Sequence, residues 1–431
     1  MAQPTSTSSI DYDALIKDDQ VHGRLYYDPA IFEEELEKIW YREWIFIGHD
    51  SEVPNPGDYV VRRIARQPIV ITRGDDGQVR VLLNRCPHRG NAVCQRERGN
   101  TRVFRCAYHG WTFDNAGDLL GVSFWSGYDE SFRKEEMGMT RVPRLGSCRG
   151  LLFASLSADG ISLDEHLGQA RKYIDQFVDL SPTGEIEVQA GIHKMRVQSN
   201  WKMYVENGVD NYHANFVHQS AIAAQSKELL AKLRATSADA SLAVTRDLGG
   251  GHTMLDFFPQ NRVAGLVPTA TAGAVSREAE AAYVDALGRF HGRERAGALL
   301  AEGPPHVMIF PNLFITNFGI DLRTIHPLAP GLFYNYHLPA LLKGAPPELN
   351  AYRIRRYEGA YGPAGFFLAD DMEMWERNYR GTEARVNEWV VLRRGVHRER
   401  PDADGLPIAH ITDELPQRAI WRHYKMLMTR P

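Results

Sequence analysis

The feature that most constrains this chain is a pair of short segments that each carry one cysteine and one histidine. Cys86 and His88 are separated by one residue, and Cys106 and His109 follow after a spacer of 17 residues. A glycine stands shortly after each histidine, so both pairs are expected in tight loops. Thiolates and imidazoles are both strong metal ligands. Two loops that each offer one sulfur and one nitrogen can therefore close around a single metal centre.

Three interpretations of these four residues are open. The pairs can be unrelated, they can form a structural zinc site, or they can hold a [2Fe–2S] cluster of the Rieske type. Zinc fingers usually pair cysteine with cysteine and histidine with histidine, the second pair on a helix. Here each pair is mixed and lies in a β-rich region, which argues against a finger. In a Rieske cluster two cysteines hold one iron and two histidines hold the other.

The order Cys-x-His, a spacer of this length and Cys-x-x-His resembles the signature of Rieske proteins. This resemblance implies that Cys86 and Cys106 bind one iron, and that His88 and His109 bind the other. Neutral imidazoles in place of two thiolates make the cluster less negative and raise its reduction potential. The other two cysteines, Cys94 and Cys148, lie outside the pattern and are expected to be packing residues.

A second concentration of polar residues lies between positions 200 and 218. Glu206, Asp210 and His213 are four and three residues apart, which places them on one face if this segment is helical. His218 is five residues beyond His213, about 140° round a straight helix. Convergence of the two histidines then requires the helix to end or bulge between them. The alternative is an amphipathic helix with a solvated acidic face.

Downstream of a Rieske pattern, this spacing resembles the mononuclear-iron motif of Rieske non-haem iron aromatic-ring-hydroxylating oxygenases, in their large (alpha) subunit. The short interval between Glu206 and Asp210 looks more like the branch that acts on aromatic acids. The resemblance implies that His213 and His218 bind Fe(II). Two imidazoles and one carboxylate leave coordination positions open for O₂.

The third iron ligand must come from elsewhere in the chain. A Gly-Pro-Ala-Gly segment at 362–365, followed by Asp370 and Asp371, resembles the family's segment before a paired aspartate at a helix start. One aspartate of such a pair can cap the helix while the other binds metal. We expect Asp371 to be the ligand in preference to Asp370.

The resemblance also implies roles around the iron. Asp210 is expected to accept a hydrogen bond from a ligating imidazole and to bridge to His109 of a neighbouring subunit, so that the electron crosses between chains. The alternative is that Asp210 orients only its own His213. Asn207, Val209 and Phe216 are close to the motif and are candidates for substrate contacts.

The element pattern favours an α+β fold with two main domains. Short β-rich runs between about 58 and 156 predict a small antiparallel domain, and mixed strands and helices without βαβ alternation follow. We expect an N-terminal tail and helix (1–41), a Rieske [2Fe–2S] β-sandwich domain (42–155) and a catalytic mononuclear-iron domain (156–431). The resemblance implies that the last has a large antiparallel sheet flanked by helices, of the helix-grip type.

The composition of the chain, and the binding motifs that it lacks, restrict the partners that the protein is expected to have. A net charge of −4 gives no reason to expect nucleic acid, and the most apolar stretch, Val307 to Phe318, is too short to span a membrane. The polar N-terminus lacks a secretory signature, so a cytoplasmic location is expected. Gly249 to Gly251 is not a dinucleotide-binding element. Electrons are therefore expected from a separate NAD(P)H-dependent reductase, directly or through a ferredoxin.

Together these features predict the large subunit of a multicomponent dioxygenase of aromatic catabolism. Its cofactors would be a [2Fe–2S] cluster and a mononuclear Fe(II), and its substrates O₂ and an aromatic compound, expected to be an aromatic acid. A Rieske monooxygenase that hydroxylates a ring once or demethylates an ether is the alternative, because it uses the same iron site. A Rieske electron carrier without oxygenase chemistry is an alternative of another class. The family implies a homotrimer of large subunits, with a possible small (beta) subunit.

Overall fold

The computed structural model describes residues 10–223, 242–264, 275–318 and 321–430. The first nine residues of the expected N-terminal tail lie outside these ranges. The helix expected after Asp28 is confirmed: Asp28 accepts a hydrogen bond from the backbone N–H of Ala30 (2.9 Å), and Pro29 occupies the first helical position. The N-terminal helical elements are Tyr12–Leu15, Arg24–Tyr27, Pro29–Glu35 and a π-helical turn, Leu36–Trp40.

The segment that carries the four Cys/His residues is built from antiparallel strands. Asp58–Ile64 alternates buried and half-buried residues, as a strand with one face on a core does. One sheet has the order Val79–Leu83, Gln67–Arg73, Asp58–Ile64, Arg98–Asn100. A second has the order Val103–Arg105, Thr112–Asp114, Leu119–Gly121. A third has the order Arg144–Cys148, Leu151–Ser155, Ile45–His49.

The remainder of the chain is organised around one antiparallel sheet. Its nine strands have the order His193–Val197, Leu332–Pro339, Asp321–Ala329, Leu313–Ile315, His306–Ile309, His252–Asp256, Val244–Gly249, Pro407–His410, Arg400–Pro401. Two small ribbons pair Gln20–His22 with Trp389–Val391 and Ile186–Glu187 with Leu341–Leu342.

Helices cover both faces of the nine-stranded sheet. Alternation along the strands sends Met308 and Phe314 into one hydrophobic core and Val307 and Ile315 into the other. The described helices of this part are Leu163–Leu167, Arg171–Val178, Trp201–Gly208, Ala214–Val217, Gln219–Ala223, Phe258–Ala264, Arg277–His291, Arg293–Glu302, Pro347–Tyr361, Leu368–Gly381 and Leu415–Met428.

The predicted fold class is confirmed: after the N-terminal helices come small antiparallel sheets, and a large antiparallel sheet flanked by helices follows. Within the part of the chain that the structure describes, no helix combines the length and apolar character that a membrane span requires.

Candidate functional site

The two Cys/His segments fold into two matching loops. The N–H of Cys86 donates to the carbonyl of Asn91 (2.8 Å), and the N–H of Cys106 donates to the carbonyl of Trp111 (2.8 Å). Within each loop a glycine, Gly90 or Gly110, donates back to the cysteine carbonyl. Both glycines have positive φ, 75° and 71°, which a residue with a Cβ adopts only with strain. Gly90 and Gly110, which directly or closely follow the two histidines in sequence, therefore allow each loop to close.

The loops bring the four predicted cluster residues together. The rings of His88 and His109 lie 4.6 Å apart, and both cysteines are buried free thiols. Burial raises the pKa of Cys106, but backbone N–H groups of Tyr108 and His109 outweigh that effect and lower it, which favours a thiolate. The buried Nδ1 of His88 has no hydrogen-bond partner among the described residues. Two buried cysteine sulfurs beside an unpaired imidazole nitrogen fit an iron–sulfur cluster.

Sequence reasoning missed two neighbours of this site. The indole of Trp111 stacks on the His88 ring, with centroids 5.0 Å apart and planes 4° from parallel. The side-chain amide of Asn91 lies 3.6 Å from Cys106 Sγ and can donate to it. Both residues lie within five positions of a predicted cluster ligand, and this closeness in sequence could have identified them.

The second constellation departs from the helix expected for it. The helix is Trp201–Gly208, and its N-cap is Asn200, whose side chain accepts a hydrogen bond from the N–H of Lys202 (3.0 Å). The prediction that Glu206, Asp210 and His213 share one helix face is therefore wrong. His213 and His218 instead flank a separate four-residue helix, Ala214–Val217. A helix does end between the histidines, at Val217, as their convergence required, and a further break after Gly208 precedes His213.

His213, His218 and Asp371 form a compact group with the ligand types that iron(II) prefers. One potential ligand atom from each lies within 4.8 Å of the others. Asp371 Oδ1 is 3.4 Å from Nε2 of His213 and 3.2 Å from Nε2 of His218. Two imidazoles and one carboxylate form the facial triad of non-haem iron sites. Asp371 Oδ1 and His218 Nδ1 are buried without hydrogen-bond partners in the described structure, so this donor set fits a metal ion.

The electrostatics of the group also favour a cation. Burial raises the pKa of Asp371, but His213 and His218 outweigh it and lower that pKa. Burial lowers the pKa of His213, yet Asp210 and Asp371 raise it to about 9. Carboxylates thus surround the two imidazoles and would stabilise positive charge between them.

The other predicted residues of this region take different positions. Asp210 Oδ2 lies 3.5 Å from His213 Nδ1, and Asp370 Oδ2 lies 3.6 Å from His218 Nδ1. The side-chain amide nitrogen of Asn207 is 3.4 Å from His213 Nε2. Val209 is fully buried in the core, whereas Phe216 is 62% exposed and packs on Tyr212.

Glu206 is directed towards the chain termini. Its Oε1 accepts hydrogen bonds from the hydroxyl of Tyr26 (2.7 Å) and from Nε1 of Trp421 (3.0 Å). Its backbone carbonyl accepts from Nε2 of Gln417 (2.9 Å). Glu206 therefore joins the helix that precedes the iron site to the N-terminal and C-terminal helices.

Aromatic side chains that the sequence did not single out lie beside the triad. Phe367 contacts the ring of His218, with centroids 4.9 Å apart, and Tyr361 and Phe318 contact Phe367. These rings make one side of the site apolar, which suits an aromatic substrate.

Comparison with known proteins identifies the family. Residues 43–124 match the model of the Rieske [2Fe-2S] domain, and residues 171–404 match the model of the ring hydroxylating alpha subunit catalytic domain. The chain belongs to the Rieske ring-hydroxylating dioxygenase large subunits. As a member of this family it carries a Rieske cluster and a mononuclear iron. A zinc module and an electron carrier without a catalytic domain are both excluded by this match.

Curated relatives within this family match most of the chain. It is 31% identical to the large subunit of 2-halobenzoate 1,2-dioxygenase from Burkholderia cepacia, over 88% of this chain and 82% of that protein. It is 34% identical to the alpha subunit of toluate 1,2-dioxygenase from Pseudomonas putida, over 84% and 81%.

Solved structures of this family share the fold. A naphthalene 1,2-dioxygenase variant bound to phenanthrene superposes with a TM-score of 0.84 at 25% identity, covering 98% of this chain and 96% of that one. Naphthalene 1,2-dioxygenase with indole in its active site gives a TM-score of 0.83.

Proposed function

We propose that this chain is the terminal oxygenase subunit of a multicomponent system that dioxygenates a benzoate-type aromatic acid. The observation that carries the proposal is the convergence of His213, His218 and Asp371 beside a wall of aromatic rings. The aromatic-acid assignment is supported by relatives whose names specify 2-halobenzoate, toluate and anthranilate. All three compounds are benzene rings with one carboxylate.

In this proposal Cys86, His88, Cys106 and His109 hold the cluster within a Rieske domain at 42–155. His213, His218 and Asp371 hold the ferrous ion within a catalytic domain at 156–431, and residues 1–41 form the N-terminal tail and helix. A ferrous ion in a two-histidine, one-carboxylate site supplies the one-electron chemistry with O₂ that ring hydroxylation needs.

Side chains of the protein then set the orientation of the iron ligands and control which molecules enter the site. Asp210 Oδ2 lies 3.5 Å from Nδ1 of His213, where it would accept a hydrogen bond from that nitrogen and so fix the tautomer and the orientation of the ring. Phe367 and its neighbouring rings exclude water and hold the arene by stacking and edge contacts. Asn207 lies close enough to His213 to contact a substrate bound there.

Electrons arrive from outside the chain in this proposal. A reductase, directly or through a ferredoxin, would supply them to a cluster that Cys86, His88, Cys106 and His109 would hold, and His109 of one subunit would lie against Asp210 of the next. Neither His109 nor Asp210 is fully buried, which supports a contact between chains. This arrangement requires a cyclic oligomer, for which we propose a homotrimer of large subunits, with a small beta subunit as a possible further component.

Metal analysis and product analysis together test the proposal. The purified protein should hold about three irons and two acid-labile sulfides per chain. With NADH, a reductase, a ferredoxin and ¹⁸O₂, it should convert benzoate, toluate or anthranilate into a product that carries two labelled oxygens. One labelled oxygen would indicate a monooxygenase. No product from the acids, with both iron centres loaded, would contradict the assignment.

A further inference from the structure

A buried arginine faces the same side of the large sheet as the iron site. In the strand register Phe314, Arg323 and His337 are direct partners across three adjacent strands, so their side chains share one face. That face belongs to the core that also contains Tyr204, Tyr361 and other residues of the helices around the triad. Arg323 is only 4% exposed, so its guanidinium is held inside the protein.

Aromatic rings connect this guanidinium to the iron ligands. Its central carbon lies 3.6 Å from the centre of the Tyr361 ring and 5.8 Å from that of Phe314. Tyr361 contacts Phe367, and Phe367 contacts His218. Burial, with smaller contributions from Arg323 and His213, lowers the pKa of His306 to about 4, since both groups lie near this imidazole.

The carboxylate of Asp321 orients the guanidinium of Arg323. Arg323 Nε donates to Asp321 Oδ2 (2.8 Å) and Nη2 approaches Oδ1 (3.5 Å). Asp321 is itself fully buried, and its Oδ2 lies 3.3 Å from Nδ1 of His337. Neither of these contacts uses the second amino group, Nη1.

Structural stability alone is a weak reason for this ion pair. Replacing a buried pair with apolar residues is often neutral or stabilising, because the desolvation of two charges offsets their attraction. An arginine that one carboxylate holds through Nε and Nη2, with aromatic rings beside it and Nη1 outside that ion pair, is instead suited to bind an anion. Arginine recognises a carboxylate with paired, charge-assisted hydrogen bonds.

We propose that Arg323 binds the carboxylate of the aromatic substrate, with Asp321 and His337 as positioning residues behind it. The proposal rests on the proposed function and names the residue that would recognise its class of substrate. Phe314 and Tyr361 flank the guanidinium and would contact the arene, so that the ring lies between Arg323 and the triad. The charge would then select aromatic acids over neutral arenes and fix which ring edge faces the iron.

Binding calorimetry on the anaerobic holoenzyme tests this directly. Benzoate is compared with benzamide, its neutral isostere, in the wild type and in Arg323→Gln. We expect the substitution to weaken benzoate binding by about ten- to a hundredfold, the loss typical of a charge-assisted contact, and benzamide binding by less than about threefold. The matched control is Arg246→Gln, because Arg246 pairs with Asp256 (2.9 Å) on the opposite face of the same sheet. It should leave the binding of both ligands unchanged.

The outcomes separate this inference from the proposed function. If Arg323→Gln binds benzoate as the wild type does, or weakens both ligands equally, Arg323 does not recognise the carboxylate, although a wild type that oxygenates benzoate would still satisfy the proposed function. A wild type that oxygenates neutral arenes but no aromatic acid would overturn both. If the unpaired Asp321 prevents Arg323→Gln from folding, the double variant Asp321→Asn/Arg323→Gln removes both charges and must show the same selective loss of benzoate.

Discussion

The Nε2–H of His306 donates a hydrogen bond to the backbone carbonyl oxygen of Gly208 over 2.8 Å. Gly208 is the last residue of the helix before the iron site, where carbonyl groups have no partner within the helix. His306 Nδ1 in turn faces the N–H of Asn317 (3.4 Å). Burial keeps the pKa of His306 near 4, so the ring stays neutral and can donate with one nitrogen and accept with the other. The sheet thus fixes the point at which the helix ends, two residues before Asp210.

Substitution of His306 should therefore disturb the mononuclear site without touching the cluster. His306→Leu leaves the Gly208 carbonyl buried and unpaired, which should cost about 1–3 kcal/mol in the free energy of unfolding. We expect the iron content to fall towards two per chain while the acid-labile sulfide stays at about two. His306→Gln, which can still donate, should retain more iron. Full iron occupancy in His306→Leu would show that this hydrogen bond does not position the site.

Neutral substitutions distinguish the two adjacent aspartates. Asp371 Oδ1 faces both imidazoles, whereas Asp370 approaches only His218, at 3.6 Å. Asp371→Asn should lose the mononuclear iron and all oxygenation, because it removes the anionic ligand, and should keep the Rieske electron paramagnetic resonance signal. Asp370→Asn is the matched control and should keep both iron centres. The opposite pattern of iron loss would make Asp370 the ligand.

A buried carboxylate joins the N-terminal helix to the helix that leads into the iron site. Glu35 is fully buried and accepts hydrogen bonds from Nζ of Lys202, Nε1 of Trp201 (2.8 Å) and the hydroxyl of Tyr424 (2.7 Å). Lys202→Met leaves this charge unpaired and should destabilise the protein by about 3–5 kcal/mol.

A second substitution, at Glu35, tests whether the loss of stability comes from the unpaired charge. Glu35→Gln/Lys202→Met removes both charges and should recover a large part of the lost stability, measured by urea unfolding. If the double variant loses as much stability as Glu35→Gln and Lys202→Met lose together, the two charges do not interact, since a double-mutant cycle isolates the pairwise energy.

The candidate ligands of both iron sites could be named from the sequence because their types and spacing resemble those of a known family. The matching glycines at 90 and 110, for example, close two loops whose geometry depends on nearby residues alone. The end of the helix at Gly208 could not be predicted in this way. It depends on His306 and Phe314, which are distant in sequence and reach the helix only after the sheet has formed. Local periodicity therefore placed Asp210 and His213 on a continuous helix that does not exist.

The role of Arg323 was hidden for the same reason. An arginine in a buried strand carries no motif, and its significance comes from Tyr361, on a helix 38 positions later, and from Asp321, two residues before it. Glu206 likewise fitted the helical spacing of the iron motif, yet Tyr26 and Trp421 hold its side chain. In both cases contacts with residues distant in sequence determine the surroundings of the side chain.

Glu206 gives a prediction with a defined pH dependence. Burial raises the pKa of its carboxyl to about 7, above the value near 4.5 of an unfolded chain. Between these values the unfolded state binds fewer protons than the native state, so this group lowers stability as the pH rises from 4.5 through 7. Glu206→Gln keeps an acceptor for Tyr26 and Trp421 but has no charge to bury. It should match the wild type in urea unfolding at pH 5 and exceed it by about 2 kcal/mol at pH 8, with unchanged iron content. A stability difference that does not vary with pH would show that Glu206 titrates alike in the native and unfolded states.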